Sequence, residues 1–463
     1  MDTTFLTNFL LKAHQLFRTL HVHKSVCRNI SIGLILILFF HSGNVLAQQE
    51  SPFPSELQNL IESVENKVIE WRRDIHQHPE LGNREFRTAA LVADHLRSLG
   101  IEVQTEVAHT GVIGILRGAH PGPVVALRAD MDALPVTERV DVPFASTART
   151  MFNGQEVGVM HACGHDTHVA MLMGTAEVLA GYRENLHGTV KFIFQPAEEG
   201  PPEGEEGGAE LMVKEGVLQN PDVDVVMGIH VRSTLEIGKI GYTPGGTMAS
   251  ADDFRIVVRG VQTHGAYPWE GADPIVASAH IITALQSIVS RRMALTKNPA
   301  VVTVGMVRGG VRSNIIPEEV EMLGTMRALH PDDRLAMIEH MHQIVENTAR
   351  AMGVSATLTL PVTTSYPVTY NDIDLTNRMV PVLQSIAGAD NIIMEKPVMG
   401  AEDFSYFAEK VPGLFIFLGG RPSDVPISEA AAHHTPDFFI DDSRLNLGVK
   451  AFVAMTLDYM NNR

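Results

Sequence analysis

Residues 158–200 read GVMHACGHDTHVAMLMGTAEVLAGYRENLHGTVKFIFQPAEEG. The stretch holds a Cys-x-His pair, Cys163 and His165, then a helical segment over 166–182 and a strand of buried character over 189–195. Directly after that strand come adjacent carboxylates, Glu198 and Glu199. Thiolate, imidazole and carboxylate are the side chains that bind a borderline divalent cation such as zinc. Two consecutive glutamates at a strand end can divide the work, one holding metal and the other moving protons.

The segments on either side repeat the pattern. Upstream, apolar residues at helical spacing (Leu57, Ile61, Val64, Val68, Ile69, Ile75) predict a helix over 55–78, closed by Pro79 and Gly82. A second helix over 84–99 leads into strands at 101–106, 112–117 and 124–128, the last running into Asp130 and Asp132. Alternating strands and helices indicate a layered α/β domain with helices on both faces, and strand ends are where such sheets place functional groups. Downstream, the Gly/Pro/Glu loop 200–208 reads as solvated surface, so Glu203, Glu205 and Glu206 are set aside as ligands. A helix at 209–216 and a strand at 223–230 ending on His230 follow, then a strand pair around 237–242.

The rhythm changes near Met248. Strand 253–260, helix 272–292, strands 300–307 and 318–328, helix 331–352 and strand 356–362 have the β-α-β-β-α-β order of a ferredoxin-like unit. After Tyr366 the α/β pattern resumes with a helix at 372–387, the turn VMGAEDF, a strand at 413–420 and a helix at 444–460. The expected organisation is a discontinuous α/β domain over 51–248 and 364–463, with an α+β domain over 249–363 inserted into it. The glycines at 308–310 and 418–420 lack the strand–loop–helix setting of a phosphate loop.

Composition narrows the function. The chain has 463 residues, 45% hydrophobic and 19% charged, with a net charge of −18. That describes a globular protein and excludes nucleic acid as a partner, since no basic cluster offsets the negative charge. Residues 1–47 differ: Lys24 and Arg28 precede the apolar run Ile30–Phe40 and then HSGNVLA, the layout of a secretory signal cut after Ala47. The run is shorter than the roughly 20 residues that cross a bilayer, a retained anchor being the alternative. Of the two cysteines, Cys27 leaves with the signal, so Cys163 has no partner for an internal disulfide, and metal ligation is one good reason to keep a lone thiol. Two further histidines join the candidates: His230, in VVMGIH, and His434, in AAHHTPDF, with His433 its neighbour.

The segments RRDIHQHPELG (72–82), ALRADMDALP (126–135), MHACGHDTH (160–168), FQPAEEG (194–200), GIHV (228–231), QTHGAYP (262–268), NIIP (314–317), GTMR (324–327), MGAEDF (399–404) and HTPDF (434–438) run in order along the mature chain. They resemble the metallo-amidohydrolases related to aminoacylase and carboxypeptidase G, in the branch of bacterial hippurate hydrolases and plant hydrolases of auxin–amino-acid conjugates. The resemblance implies a zinc-peptidase-like three-layer catalytic domain with a lid and dimerisation domain. It implies two divalent metal ions (zinc, or manganese, cobalt or nickel) on Cys163, His165, Glu199, His230 and His434, with Glu198 as general base. The thiolate stands where the wider superfamily has a bridging aspartate, and Asp132 orients a ligand; Asp130 receives no firm role. The His-Thr-Pro context favours His434 over His433. It further implies that His264 reaches the oxyanion from the partner subunit of a homodimer, and that Asn314 and Arg327 grip the substrate carboxylate, a surface ion pair being the alternative for Arg327. His76 and His78 read as helix-end packing and capping, and His168 as a buried structural residue.

The activity so implied is hydrolysis of N-acyl-amino acids, or short peptides, by an exported dimetal amidohydrolase that has no membrane contact once its signal is removed. A metallocarboxypeptidase or dipeptidase on the same site is the alternative, and a non-catalytic binding protein a third. Export gives the first prediction: the N-terminus of the secreted protein, read by mass spectrometry, is expected at Gln48.

Overall fold

The computed structural model describes residues 52–363 and 365–462. The expected signal segment, 1–47, lies outside them. The chain opens with α1 (Ser55–Ser63) and α2 (Glu65–Gln77) where one helix was predicted. Val64 interrupts them, yet it is buried like Leu57, Ile61 and Val68, so the apolar stripe crosses the joint. Next come α3 (Phe86–Ser98), β1 (Glu102–Val107), β2 (Gly111–Arg117) and β3 (His120–Asp130). A hairpin over Arg149–Gly158 precedes α4 (His165–Gly181), β4 (His187–Gln195), α5 (Gly208–Lys214), β5 (Val225–Glu236) and β6 (Ile240–Tyr242).

The ferredoxin-like segment follows as β7 (Ala251–Arg259), α6 (Pro274–Ser287), β8 (Ala300–Gly309), β9 (Glu319–Ala328), α7 (Pro331–Ala351) and β10 (Ser355–Thr359). Its strands lie in the order β8-β9-β7-β10, all antiparallel, as that topology requires. It has a core of its own, in which Phe254, Ile256 and Val258 cluster with Ile281, Leu285, Met337 and Met341. A short strand, Ser365–Tyr366, pairs back onto Ala251–Asp252. The chain then returns through α8 (Ile373–Ala387), β11 (Ile392–Met394), β12 (Gly413–Arg421) and α9 (Asn446–Asn461).

The main sheet runs β1-β2-β4-β3-β5-β12-β6-β11. Its centre is parallel, β4 with β3, β3 with β5 and β5 with β12, and β1 and β2 are antiparallel additions. Parallel strands are buried on both faces, which is why β3, β4 and β12 read as near-continuous apolar runs. The helical cover is uneven. α1 to α4, α8 and α9 pack on the face carrying Val125, Leu127, Phe192, Phe194, Met227 and Ile416. The opposite face, with Ile113, Ala126, Ile193 and Phe415, is closed by α5 and by Phe404 and Phe407. α4 is buried nearly all round, as a helix apolar on every side must be.

Strand β5 corrects one expectation. It does not end on His230 but continues to Glu236, because β12 pairs with it from Gly413 through Arg421 and keeps its backbone groups bonded; His230 lies mid-strand, opposite Phe417. Close pairing also explains a glycine. A Cβ on Gly419 would stand 1.9 Å from the carbonyl oxygen of Glu236, which is main chain and cannot swing aside. Gly419→Ala is therefore expected to cost about 1–3 kcal/mol, as overpacked sites do, read as a lower urea midpoint of unfolding.

Candidate active site

β3 and β4 end side by side, Asp130 in register with Gln195, and the loops leaving them build the site. After Pro196, Ala197 takes a left-handed φ of +50°, uncommon for a residue with a Cβ. Its N–H donates to the buried Glu85 carboxylate at 2.9 Å. The next two N–H groups, of Glu198 and Glu199, donate to the two oxygens of Asp132, each at 3.0 Å. Asp132 Oδ1 also lies 3.2 Å from His165 Nδ1. A carboxylate at that nitrogen holds a proton there and leaves Nε2 as the nitrogen open to a ligand.

Cys163 and His165 flank Gly164, whose φ is +91° and where a Cβ would meet Val231 Cγ1 at 2.4 Å. Glycine permits this tight turn into α4 and sets the thiol and the imidazole on one side of it. Cys163 Sγ is 3.5 Å from His230 Nε2. The other ring nitrogen of His230 donates to the carbonyl of Val231 at 2.6 Å, so Nε2 is the acceptor that the Cys163 thiol meets.

His433 and His434 both reach this place, and their hydrogen bonds separate them. The Ser233 N–H donates to His433 Nε2 at 3.2 Å, so the neutral ring carries its proton on Nδ1, 3.6 Å from Cys163 Sγ. Both nitrogens of His433 are thereby engaged. His434, held at φ +62° by a bond from its N–H to Ala162 O, brings Nε2 within 3.0 Å of Glu199 Oε1 without hydrogen-bond geometry.

The electrostatics are crowded with negative charge. Burial and the carboxylates of Glu199 and Glu198 push the Cys163 thiol well above its usual pKa. Burial, then the charges of Glu402 and Glu199, push the Glu198 carboxyl well up. Burial lowers His165, but the charges of Asp130 and Asp132 more than offset it and raise its pKa to about 10. His165 Nε2 and Glu199 Oε1 are buried without a hydrogen-bond partner, 4.0 Å apart. Orphaned buried polar atoms are costly unless an ion or ligand completes them. Three sets of donor atoms each fall within 4.8 Å of one another: Cys163, His165 and His230; Cys163, Glu199 and His434; and His165, Glu198 and Glu199. Soft sulfur, imidazole nitrogen and carboxylate oxygen, converging on one place, fit divalent cations, and the first two sets share the thiol.

The family model described as peptidase family M20/M25/M40 matches residues 126–458. The chain belongs to this family. A Saccharolobus solfataricus relative, thermostable carboxypeptidase 2, is 39% identical over 407 residues, which cover 88% of this chain and 98% of its own. An Arabidopsis thaliana relative, IAA-amino acid hydrolase ILR1-like 2, is 36% identical over 444 residues, 94% of this chain and 96% of its own. A crystal structure from Bacillus subtilis, described as a dinuclear metal binding peptidase of the M20 family, superposes with a TM-score of 0.71 at 33% identity, covering 87% of this chain and all of that one (100%).

One chain of this M20 member brings together Asp132, Cys163, His165, Glu198, Glu199, His230 and His434. It does not bring His264, Asn314 or Arg327 to the cavities beside them. These three lie on the ferredoxin-like segment: His264 and Asn314 adjoin through a bond from Gly265 N to Asn314 O, and Arg327 sits on β9 opposite Val301. The Ala266 N–H donates to His264 Nδ1, which leaves the outward Nε2 as a donor.

Other residues escaped the sequence reading. Arg128, fully buried, bonds Asp130 at 2.7 Å, Glu402 at 2.9 Å, Asp403 at 3.0 Å and Gln195 at 2.8 Å, and so joins β3, β4 and the VMGAEDF turn. His168, read as a buried structural residue, is one: it bridges Asp130 and the Val231 N–H. His76, read as packing, is buried between Asp166 at 2.9 Å and Glu138 at 3.1 Å. Glu205, read as solvated, is paired with Arg84 and bonded by Asn83 at 3.0 Å, so that loop is tied to the turn before α3. Tyr366 donates to the Glu198 carbonyl at 2.8 Å. The signal for Arg128 was present, a charged residue within a buried strand, but its partners are remote in sequence. Because Asp132 fixes both His165 and the glutamate pair, Asp132→Ala is expected to weaken divalent-metal binding about 10–100-fold in chelator competition, with helix content unchanged.

Proposed function

We propose that this chain hydrolyses the amide bond of N-acyl-amino acids, giving a carboxylic acid and a free amino acid, at two divalent ions held by Cys163, His165, Glu199, His230 and His434. The observation that carries the reading is the converging donor set, with His165 Nε2 and Glu199 Oε1 buried without hydrogen-bond partners and a buried carboxyl, Glu198, beside it. Bound divalent ions polarise an amide carbonyl and make water acidic enough to attack at neutral pH. Glu198 accepts the proton of the attacking water and returns it to the leaving amine. Burial and the neighbouring carboxylates of Glu402 and Glu199 raise its pKa, which favours the protonated form that returns the proton to the amine. Asp132 and Tyr366 hold its main chain still through the Glu198 N–H and carbonyl.

The ferredoxin-like segment supplies the rest in a homodimer. His264 of a second copy donates its Nε2–H to the oxyanion, and Asn314 and Arg327 bind the substrate carboxylate, which a guanidinium grips bidentately. Cys and His favour zinc by softness, with manganese, cobalt or nickel the alternatives. The protein is exported, consistent with the leader-like residues 1–47. The carboxypeptidase name of the Saccharolobus relative favours peptides as a second substrate class.

Hydrolysis of N-acetyl, N-benzoyl and indole-acetyl amino acids, with dipeptides alongside, tests the reading. Glu198→Gln is expected to lower kcat about 10²–10⁴-fold while metal content stays unchanged. Cleavage of dipeptides alone would move the activity to peptidase, and a fully active Glu198→Gln would remove Glu198 from the mechanism.

A further inference from the structure

A second cavity, of about 780 Å³, shares no lining residue with the one around Cys163 and falls in the size range of small-molecule sites. It forms where the joint of α1 and α2, the turn between β5 and β6, the end of α8 and the start of α9 come together. Two carboxylates, Glu62 and Glu65, and two cations, Arg444 and Lys450, line it. Among the described residues none of these four makes an ion pair, with each other or elsewhere. Glu62 accepts from the Gln58 amide and Glu65 from the Asn446 amide at 3.4 Å, neutral donors that leave the charge uncancelled. The remaining charged pair in the lining, Glu236 and Lys239, is closed on itself at 3.2 Å.

Asn446 separates this cavity from an ordinary charged surface. It is 8% exposed, and its Oδ1 is buried without a hydrogen-bond partner although its Nδ2 reaches Glu65. A buried acceptor left unmatched is costly, so such an atom calls for a donor from outside the chain. Asn446 also opens α9, which has no capping side chain and no acidic residue in its first turn. The positive end of that helix is therefore uncompensated, beside Arg444 and Lys450.

We propose that this cavity binds a free α-amino acid, as its zwitterion and with an aliphatic side chain. The carboxylate meets Arg444, Lys450 and the start of α9, and the ammonium donates to Asn446 Oδ1 and faces Glu62 and Glu65. A simple anion leaves Oδ1 without a donor and adds negative charge beside two glutamates. A simple cation leaves the guanidinium and the lysine unmatched. A ligand with both signs on neighbouring atoms satisfies all five groups. Ile237, Ile386 and Leu447, also in the lining, offer apolar surface for its side chain to cover. A free amino acid is what the hydrolysis proposed above releases, but the site is argued from its own residues and does not depend on that activity.

The test titrates leucine calorimetrically onto the metal-loaded protein at low salt, where exposed charges are least screened. Leucinamide, which lacks the carboxylate, and isocaproate, which lacks the ammonium, are titrated alongside. Leucine is expected to bind about tenfold or more tightly than either. Arg444→Gln/Lys450→Gln and Asn446→Ala are each expected to weaken leucine by about tenfold or more, with metal content unchanged. Should Asn446→Ala fail to fold, the exposed pair Glu62→Gln/Glu65→Gln carries the same expectation. Leucine bound equally by wild type and variants sits at the metal centre, which overturns the assignment. Isocaproate bound as tightly as leucine marks an anion site, and no binding of leucine to the wild type marks an empty cleft; either result also overturns it. None of these readings requires turnover of an N-acyl-amino acid, so failure of the hydrolytic reading leaves the site untouched, and the reverse.

Discussion

Asp132 is the constraint on which the site depends. Its two oxygens take the N–H groups of Glu198 and Glu199, and one of them also meets His165 Nδ1. One side chain leaving β3 thereby fixes the turn after β4 and the first residue of α4. Ionised acceptors bind N–H groups about twice as strongly as neutral ones, so the left-handed Ala197 ahead of the pair is held rather than relaxed. Glu85 grips the same turn from the other side through the Ala197 N–H. The glutamates are in place before any ion or substrate arrives, which is what preorganisation means in structural terms.

A second constraint is charge. Glu198, Glu402 and Asp403 bring carboxylate oxygens within 4.8 Å of one another, with the buried Arg128 beside them. Removing one partner from such a network leaves buried charge uncompensated, at a cost of about 3–5 kcal/mol, so Arg128 belongs to the scaffold as firmly as any core phenylalanine. On the other side of Glu198, His165 Nε2 is buried without a hydrogen-bond partner, and His230 Nε2 meets the Cys163 thiol at 3.5 Å. The arrangement is electrostatically incomplete as a protein and complete with cations. That is the physical sense in which the donor set and the M20 family membership agree.

Much of this was legible along the chain because the signals are local. Periodicity placed α4, β4, α7 and β12 within a few residues, and the β-α-β-β-α-β order sufficed for the second sheet, whose strand order follows from that connectivity. The Cys-Gly-His turn and the paired glutamates were readable for the same reason: each motif spans a few residues and carries its own geometry. The hairpin at Arg149–Gly158 was missed although Asn153-Gly154 marks it, since its exposed strands lack a clear alternation. The break at Val64 was invisible because the apolar stripe passes through it.

By itself the sequence determined the order of elements, the residue types available to a metal and the family. The tertiary structure decided which of those residues meet. Only the fold sets Ser233 against His433 and Glu199 against His434, contacts that the His-Thr-Pro context favouring His434 does not contain. Only the fold shows that Arg128 and the VMGAEDF turn share a buried network, and that the exposed hairpin Arg149–Gly158 borders the same cavity as Glu199. The reason is range. Periodicity and turn chemistry act between residues a few positions apart, whereas tautomers, buried ion pairs and cavities depend on groups tens to hundreds of positions apart that packing alone brings within a few ångströms.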